Sequence, residues 1–146
     1  MDGARSLALK SKLKIDLLYI GKPRSAEANK LADEYAARIG RYCTFRMIRL
    51  REESAVPNYP RALKVAFDPS GRQLTSRQFA SLIEKAGRDI AFFVGGADGF
   101  SEPFRAKADH LISLGRMTLP HELARVIAVE QIYRAFAILS GHPYAK

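Results

Sequence analysis

"DIAFFVGGADGF", residues 89–100, opens on an apolar run, Ile90 to Val94, and stops at paired glycines. A strand apolar at every position is covered on both faces, the condition of a parallel sheet packed between helices. The flanking sequence repeats the theme. "KIDLLYIGK" holds a nearly continuous apolar stretch from Ile15 to Ile20, a first strand. "SAEANKLADEYAARIGRY" follows as a helix, with Ser25 as N-cap, Leu31, Tyr35 and Ile39 every four residues, and Gly40 placed to end it. "CTFRMIRL" is a second strand; "ALKVAF" is a third, running into a turn at "DPSG". Thr75 or Ser76 then caps a helix carrying Phe79, Leu82, Ile83 and Ala86 on one face. Beyond the quoted stretch, Ser101 and Pro103 open a helix whose apolar positions include Phe104, Ala108 and Leu111, and "LISL" is a short fifth strand. This alternation predicts an α/β fold, a mainly parallel sheet flanked by helices, in a single domain at residues 13–146 behind a basic extension at 1–12. One connection strains the scheme: "EESAVPNYPR", between strands two and three, is too short for a crossover between parallel neighbours. Those strands are therefore not neighbours, or the chain returns as bare extended loop.

Composition narrows the function classes. Lysine and arginine number 24 against 15 acids, a net charge of +9 on 146 residues. Such a balance suits a polyanionic partner, or else a basic surface that only aids solubility. With one cysteine, Cys43, and histidines scattered at 110, 121 and 142, neither a disulfide framework nor a zinc cluster can be assembled. No metal is expected, and a reducing cytoplasm fits. "IAFFV" is far too short to span a bilayer and the start lacks an apolar segment with a cleavage site, so a soluble, cytoplasmic chain is expected.

"TLPHELARVIAVEQIYRAF", residues 118–136, is a helix apolar nearly all the way round. At 100° per residue, Leu123, Val126, Ile127, Ala137 and Ile138 share one side and Val129, Ile132, Phe136 and Leu139 the other. One side covers the sheet. The other, on a helix at the chain's end, predicts a partner subunit and hence a homodimer. Glu130 and Arg134, acid before base at i,i+4, are a surface ion pair or a functional one drawn into apolar surroundings.

"VGGADGF" lies where open α/β sheets bind ligands, beyond the carboxyl end of a strand. Its G-G-x-x-G spacing is not the dinucleotide fingerprint, and a tight structural turn explains it as well as a cofactor loop does. "LGRMTLP" adds a second glycine-bearing loop after the next strand. Two such loops at one sheet edge can cradle a flat ligand such as an adenosine through backbone groups.

"FFVGGADGFS", "LGRMTLPHELARVIAVEQIYRAF" and the terminal "GHPY" closely resemble the ribosomal RNA large subunit methyltransferase H family, of the SPOUT class of S-adenosylmethionine-dependent enzymes. The likeness runs from about Leu13 to the C-terminus, taking in "LKIDLLYIGK" and "EYAARIGRY". It implies methylation of N3 of a pseudouridine in large-subunit (23S) rRNA, with the ribosome as partner. It also implies a C-terminal trefoil knot that holds S-adenosyl-L-methionine and two subunits that complete each active site. Carried over by position, the cofactor lies against Phe67, Gly95, Gly96, Leu114, Gly115, Arg116, Met117, Thr118 and Leu119. Glu130, His142 and Tyr144 fall to catalysis, and His121, Arg125, Arg134 and Lys146 to RNA. His121 reads equally as a helix-start residue and Arg125 as a phosphate contact or plain surface charge. Methyl transfer from a sulfonium is an in-line displacement that alignment accelerates, while the acceptor imide must lose a proton. Glu130, with a pKa raised by apolar neighbours, or His142 would take it.

Two departures stand out. Family members usually carry a helix and basic loop between strands two and three, for which "EESAVPNYPR" has no room, and their tail continues past "HPY" with a histidine and charged residues where this chain has only Ala145 and Lys146. The shortened segment raises an alternative, a non-catalytic RNA-binding relative that keeps the knotted dimer.

Overall fold

The structure, a computed structural model, describes residues 13–145; the extension at 1–12 and Lys146 lie outside the described residues. Five strands form one sheet in the order β2-β1-β4-β3-β5: β1 (Lys14–Ile20), β2 (Thr44–Leu50), β3 (Leu63–Gln73), β4 (Ile90–Val94) and β5 (His110–Ser113). Every pairing is parallel, and β4 sits between β1 and β3. The helices are α1 (Ala26–Ile39), α2 (Ser76–Ala86), the short α3 (Glu102–Lys107) and α4 (His121–Ser140). Their starts follow the sequence: Ser25 accepts from the Ala28 N–H, Thr75 and Gln78 make a capping box, and Ser101 caps α3.

Alternation along the strands divides the core. Ile15, Leu17, Val65, Phe67, Ile90, Phe92, Val94 and Ile112 face a layer in which Ile39, Phe79, Ile83, Val129, Ile132 and Phe136 come from α1, α2 and α4. Leu18, Ala66, Ala91 and Phe93 face the other way, towards Phe100, Phe104 and the β2–β3 connection. That connection resolves the strained link. β2 is an edge strand and β3 lies beyond β1 and β4, so the segment crosses the sheet face rather than joining neighbours. It is not bare: a 3₁₀ turn forms at Glu53–Ala55 and the Tyr59 ring packs edge-on against Phe93 at 6.1 Å. Tyr59 also donates to Asp16 (2.7 Å), which accepts a two-pronged bond from Arg46 (2.9 and 2.7 Å), fastening connection, edge strand and β1 together.

Three expectations are corrected. "DPSG" does not end the third strand. β3 runs on to Gln73 with a register shift between Phe67 and Arg72 and pairs again with β5. The helix after Ser101 stops at Lys107, because Ala108 turns extended and the Asp109 N–H bonds Lys64 O; Leu111 belongs to β5. Nor does α4 lack its own cover, since it lies between α1 and α2 as well as on the sheet. Val126 packs with Ala28 and Ala32 of α1, while Gln131 bonds Ser76 of α2. The helix is apolar all round because it is central in its layer. Its apolarity therefore does not by itself require a second subunit.

The β3 extension depends on Gly71, where a Cβ would sit 2.5 Å from backbone atoms of Leu111 and Ile112. Gly71→Ala is expected to lower stability by about 1–3 kcal/mol through forced separation of β3 from β5, read as a lower denaturant midpoint with m unchanged.

Candidate functional site

Because the strands are parallel, the turns that leave their carboxyl ends share one rim. β4 ends at Val94, and Gly95 and Gly96 begin a tight turn closed by the Gly99 N–H bonding Gly96 O at 3.0 Å. A Cβ on Gly95 would come within 3.1 Å of Gly99 Cα, and one on Gly96 within 3.2 Å of Ile20 O, so a side chain at either position would crowd neighbouring backbone by a few tenths of an ångström. After β5, Ser113 Oγ accepts from the Gly115 N–H (3.1 Å) and donates to Gly115 O (2.7 Å), pinning the second loop. Between the loops opens a cleft of about 890 Å³.

Of the residues expected at the cofactor, Phe67, Gly95, Gly96, Leu114, Gly115, Met117, Thr118 and Leu119 line this cleft; Arg116 does not and is exposed. His121 lines it as well. Sequence reasoning missed Asp68, buried at 7 % exposure, whose carboxylate accepts from the Ser70 N–H and hydroxyl, with Arg105 3.9 Å away. The signal was there: an aspartate two residues before a serine in "DPSG" is an Asx-turn in the making.

Glu130, Arg134 and Tyr144 form a separate group where α4 meets α1, outside the cleft. Glu130 Oε2 accepts from Arg134 (3.0 and 2.8 Å) and from the Tyr144 hydroxyl (2.7 Å), and Oε1 accepts from Gln131 (2.9 Å). The apolar setting expected for Glu130 is thus corrected: three donor side chains surround it. The Tyr35 hydroxyl lies 3.1 Å from that of Tyr144, and the Arg134 guanidinium lies 5.0 Å above the Tyr144 ring. Burial, then the hydrogen bonds to Tyr35 and Glu130, push the Tyr144 phenol well above its ordinary range. The hydrogen bond to Glu130 likewise raises Arg134. His142 is exposed, and its Nδ1 accepts from the Tyr144 N–H at 3.1 Å. Arg125, expected at RNA, is instead buried at 3 % exposure, bonded to Asn29 and 4.5 Å above the Tyr19 ring. These partners tie α4 to α1 and β1, so it is a core cation rather than a surface one.

The family model described as "Predicted SPOUT methyltransferase" matches residues 13–145. The chain belongs to the SPOUT methyltransferase family. Among relatives, the ribosomal RNA large subunit methyltransferase H of Solibacter usitatus is 45% identical over 139 residues, covering 92% of this chain and 100% of that protein. A protein of the same description from Thermus thermophilus is 38% identical, over 90% of this chain and 98% of its own. That from Geobacter sulfurreducens needs 153 aligned positions to cover 90% of this chain, so it carries residues that this SPOUT chain lacks. Among solved structures, the SpoU methyltransferase AviRb of Streptomyces viridochromogenes, in complex with AdoMet, superposes with a TM-score of 0.51 at 11% identity. The match takes in 86% of this chain and 58% of that one, so this chain spans just over half of AviRb and the likeness speaks for the fold. Among the described residues no acidic, histidine or cysteine cluster is placed to hold a metal, and no helix is long and apolar enough to cross a membrane.

Tyr59, like Tyr144, has its phenol pushed up, first by burial and then by its bond to Asp16. An acid with a raised folded pKa keeps its proton where the unfolded chain has released it, so its share of stability is complete below the unfolded pKa and drains away above it. The unfolding midpoint is expected to fall as pH rises beyond about 10. With both Tyr59→Phe and Tyr144→Phe, the fall becomes shallower, read as the unfolding midpoint followed against pH.

Proposed function

We propose that this chain transfers a methyl group from S-adenosyl-L-methionine to N3 of a pseudouridine in large-subunit rRNA, as a cytoplasmic homodimer acting on the ribosome. The observation that carries the reading is identity of 45% along the entire length of a ribosomal RNA large subunit methyltransferase H. The geometry supports it. The cleft combines bare backbone at Gly95, Gly96 and Gly115 with the apolar walls of Phe67, Leu114 and Leu119, which suits a flat base. The buried Asp68 carboxylate at the same cleft suits a hydroxyl or ammonium donor, so the residues present fit S-adenosylmethionine. The non-catalytic alternative has no such support, because the Solibacter relative aligns along its whole length without the longer Geobacter alignment.

When bound, S-adenosylmethionine supplies a methyl group on a positively charged sulfur. The chain's own work is positioning: Gly95, Gly96, Leu114, Gly115, Thr118 and Leu119 would hold the donor, and the acceptor base would be brought into line with it. An imide nitrogen must lose its proton to attack, and Glu130 or His142 is the acceptor available. Glu130 lies outside its own subunit's cleft, so it would serve the cleft of a second copy, with Arg134 and Tyr144 orienting it. Exposed Met117 (85 %) beside the cleft and Leu123 (50 %) in the first turn of α4 support such a partner surface. The proposed knot belongs to the same picture. Residues 114–120 carry the chain from the β5 edge back to the middle of the helical layer, the passage a knot would use.

Mass spectrometry of rRNA from cells lacking the protein is expected to show one methyl group missing from a pseudouridine, restored when the protein returns. An unchanged methylation pattern would end the proposal. Glu130→Gln is expected to slow single-turnover methylation by about 10²-fold or more while calorimetry shows S-adenosylmethionine still bound; an unchanged rate would remove Glu130 as the base.

A further inference from the structure

β1 and β2 end side by side, with Ile20 opposite Leu50. The segments that leave them emerge together on the rim that carries the cleft, and two hydrogen bonds lock them: the Gly21 N–H donates to Leu50 O (3.1 Å) and Arg49 Nε donates to Gly21 O (3.2 Å). Gly21 has a φ of +115°, which turns the chain out of the strand towards solvent. Lys22, Arg24, Arg49 and Arg51 are all exposed here, and none takes part in an ion pair among the described residues. Of the acids in the adjoining segments, Glu122 accepts from the Ser25 N–H, Glu27 from the Ser25 hydroxyl and Glu53 from Ser101, which leaves exposed Glu52 as the acid beside the four cations. Ridge and cleft share a wall, since a Cβ on Gly21 would touch the His121 ring at 3.4 Å and Gly96 packs on Ile20 O.

We propose that Lys22, Arg24, Arg49 and Arg51 form one cationic ridge that grips the phosphodiester backbone of the RNA and so delivers the target base to the adjacent cleft. The inference rests on the reading above that RNA is the substrate. Its chemistry follows from the side chains. Unpaired cations strung along a surface, with no buried polar cradle, match a repeating anion rather than a single small one. Contacts of this kind fix register without reading sequence, leaving selectivity to the cleft.

Two variants with equal loss of charge test the ridge. One carries Lys22→Gln, Arg24→Gln, Arg49→Gln and Arg51→Gln. The other carries Lys14→Gln, Arg41→Gln, Lys85→Gln and Arg88→Gln, exposed positions at or before the starts of β1, β2 and β4 on the opposite rim. Binding of purified large-subunit rRNA is measured against salt, and S-adenosylmethionine binding by calorimetry. The ridge variant is expected to bind at least about tenfold more weakly, with its log–log salt slope reduced by about 3, while cofactor affinity holds. The opposite-rim variant should keep the parental slope. A parental slope in the ridge variant, or equal losses in both, overturns the ridge. If ridge-dependent RNA binding is found but no methyl transfer occurs, the ridge stands and the methylation reading falls.

Discussion

Burial of β4 on both faces is the constraint from which the molecule follows. Ile90, Phe92 and Val94 press against the three-helix layer and Ala91 and Phe93 against the opposite cluster, all five at 3 % exposure or less. Each large side chain so placed contributes roughly 1.5–3 kcal/mol, and none leaves room for a polar group in the strand itself. Chemistry is thereby displaced to the first position where the chain escapes the core, the turn at Gly95. The thin face works by economy of shape. Small Ala66 and Ala91 leave space in which Phe100 stacks on Phe104 at 4.5 Å and Phe104 meets Phe93 edge-on at 5.2 Å. A helix of 6 residues, too short to be stable alone, is anchored there by its Ser101 cap and by these stacked rings.

Polar interactions decide how the outer pieces attach. Asp16, buried at 6 % exposure, would be costly alone, but Arg46 and Tyr59 reach it from two different segments. Arg125 plays the reciprocal part with Asn29 and Tyr19. Each buried charge brings together elements distant in sequence, so loss of one partner strands the other. These ties hold β1, the neighbour of the glycine turn, in fixed relation to α4.

α4 links the two chemical groups. Its first turn, with His121 and Ala124, lines the cleft, whereas Glu130 lies about 9 Å further along the axis at the usual rise per residue. One rod therefore carries a cleft-side end and, further along, the Glu130–Arg134 pair, to which Tyr144 of the following 3₁₀ turn is bonded. Tertiary folding of a single subunit keeps them apart, which is why the proposed chemistry asks for a second copy.

Much of this was legible in the residues. Continuous apolar strands, serine and threonine caps and paired glycines are local signals, each with a local physical cause, and they were enough for a parallel α/β sheet with two glycine-bearing loops at one rim. Strand order was not legible, because the register of β2 at the edge and β4 at the centre depends on which faces pack, not on any nearby residue. The extension of β3 through Gly71 was hidden by a turn-like composition that long-range pairing with β5 overrode. α4 misled for a related reason: periodicity reveals that a helix is apolar all round but not whether its neighbours are its own. Arg125 and Glu130 complete the lesson. Sequence alone identified them as charges on a greasy helix, whereas only the packed structure turned one inward to Asn29 and Tyr19 and surrounded the other with donors, since burial and partnership are properties of three-dimensional neighbours.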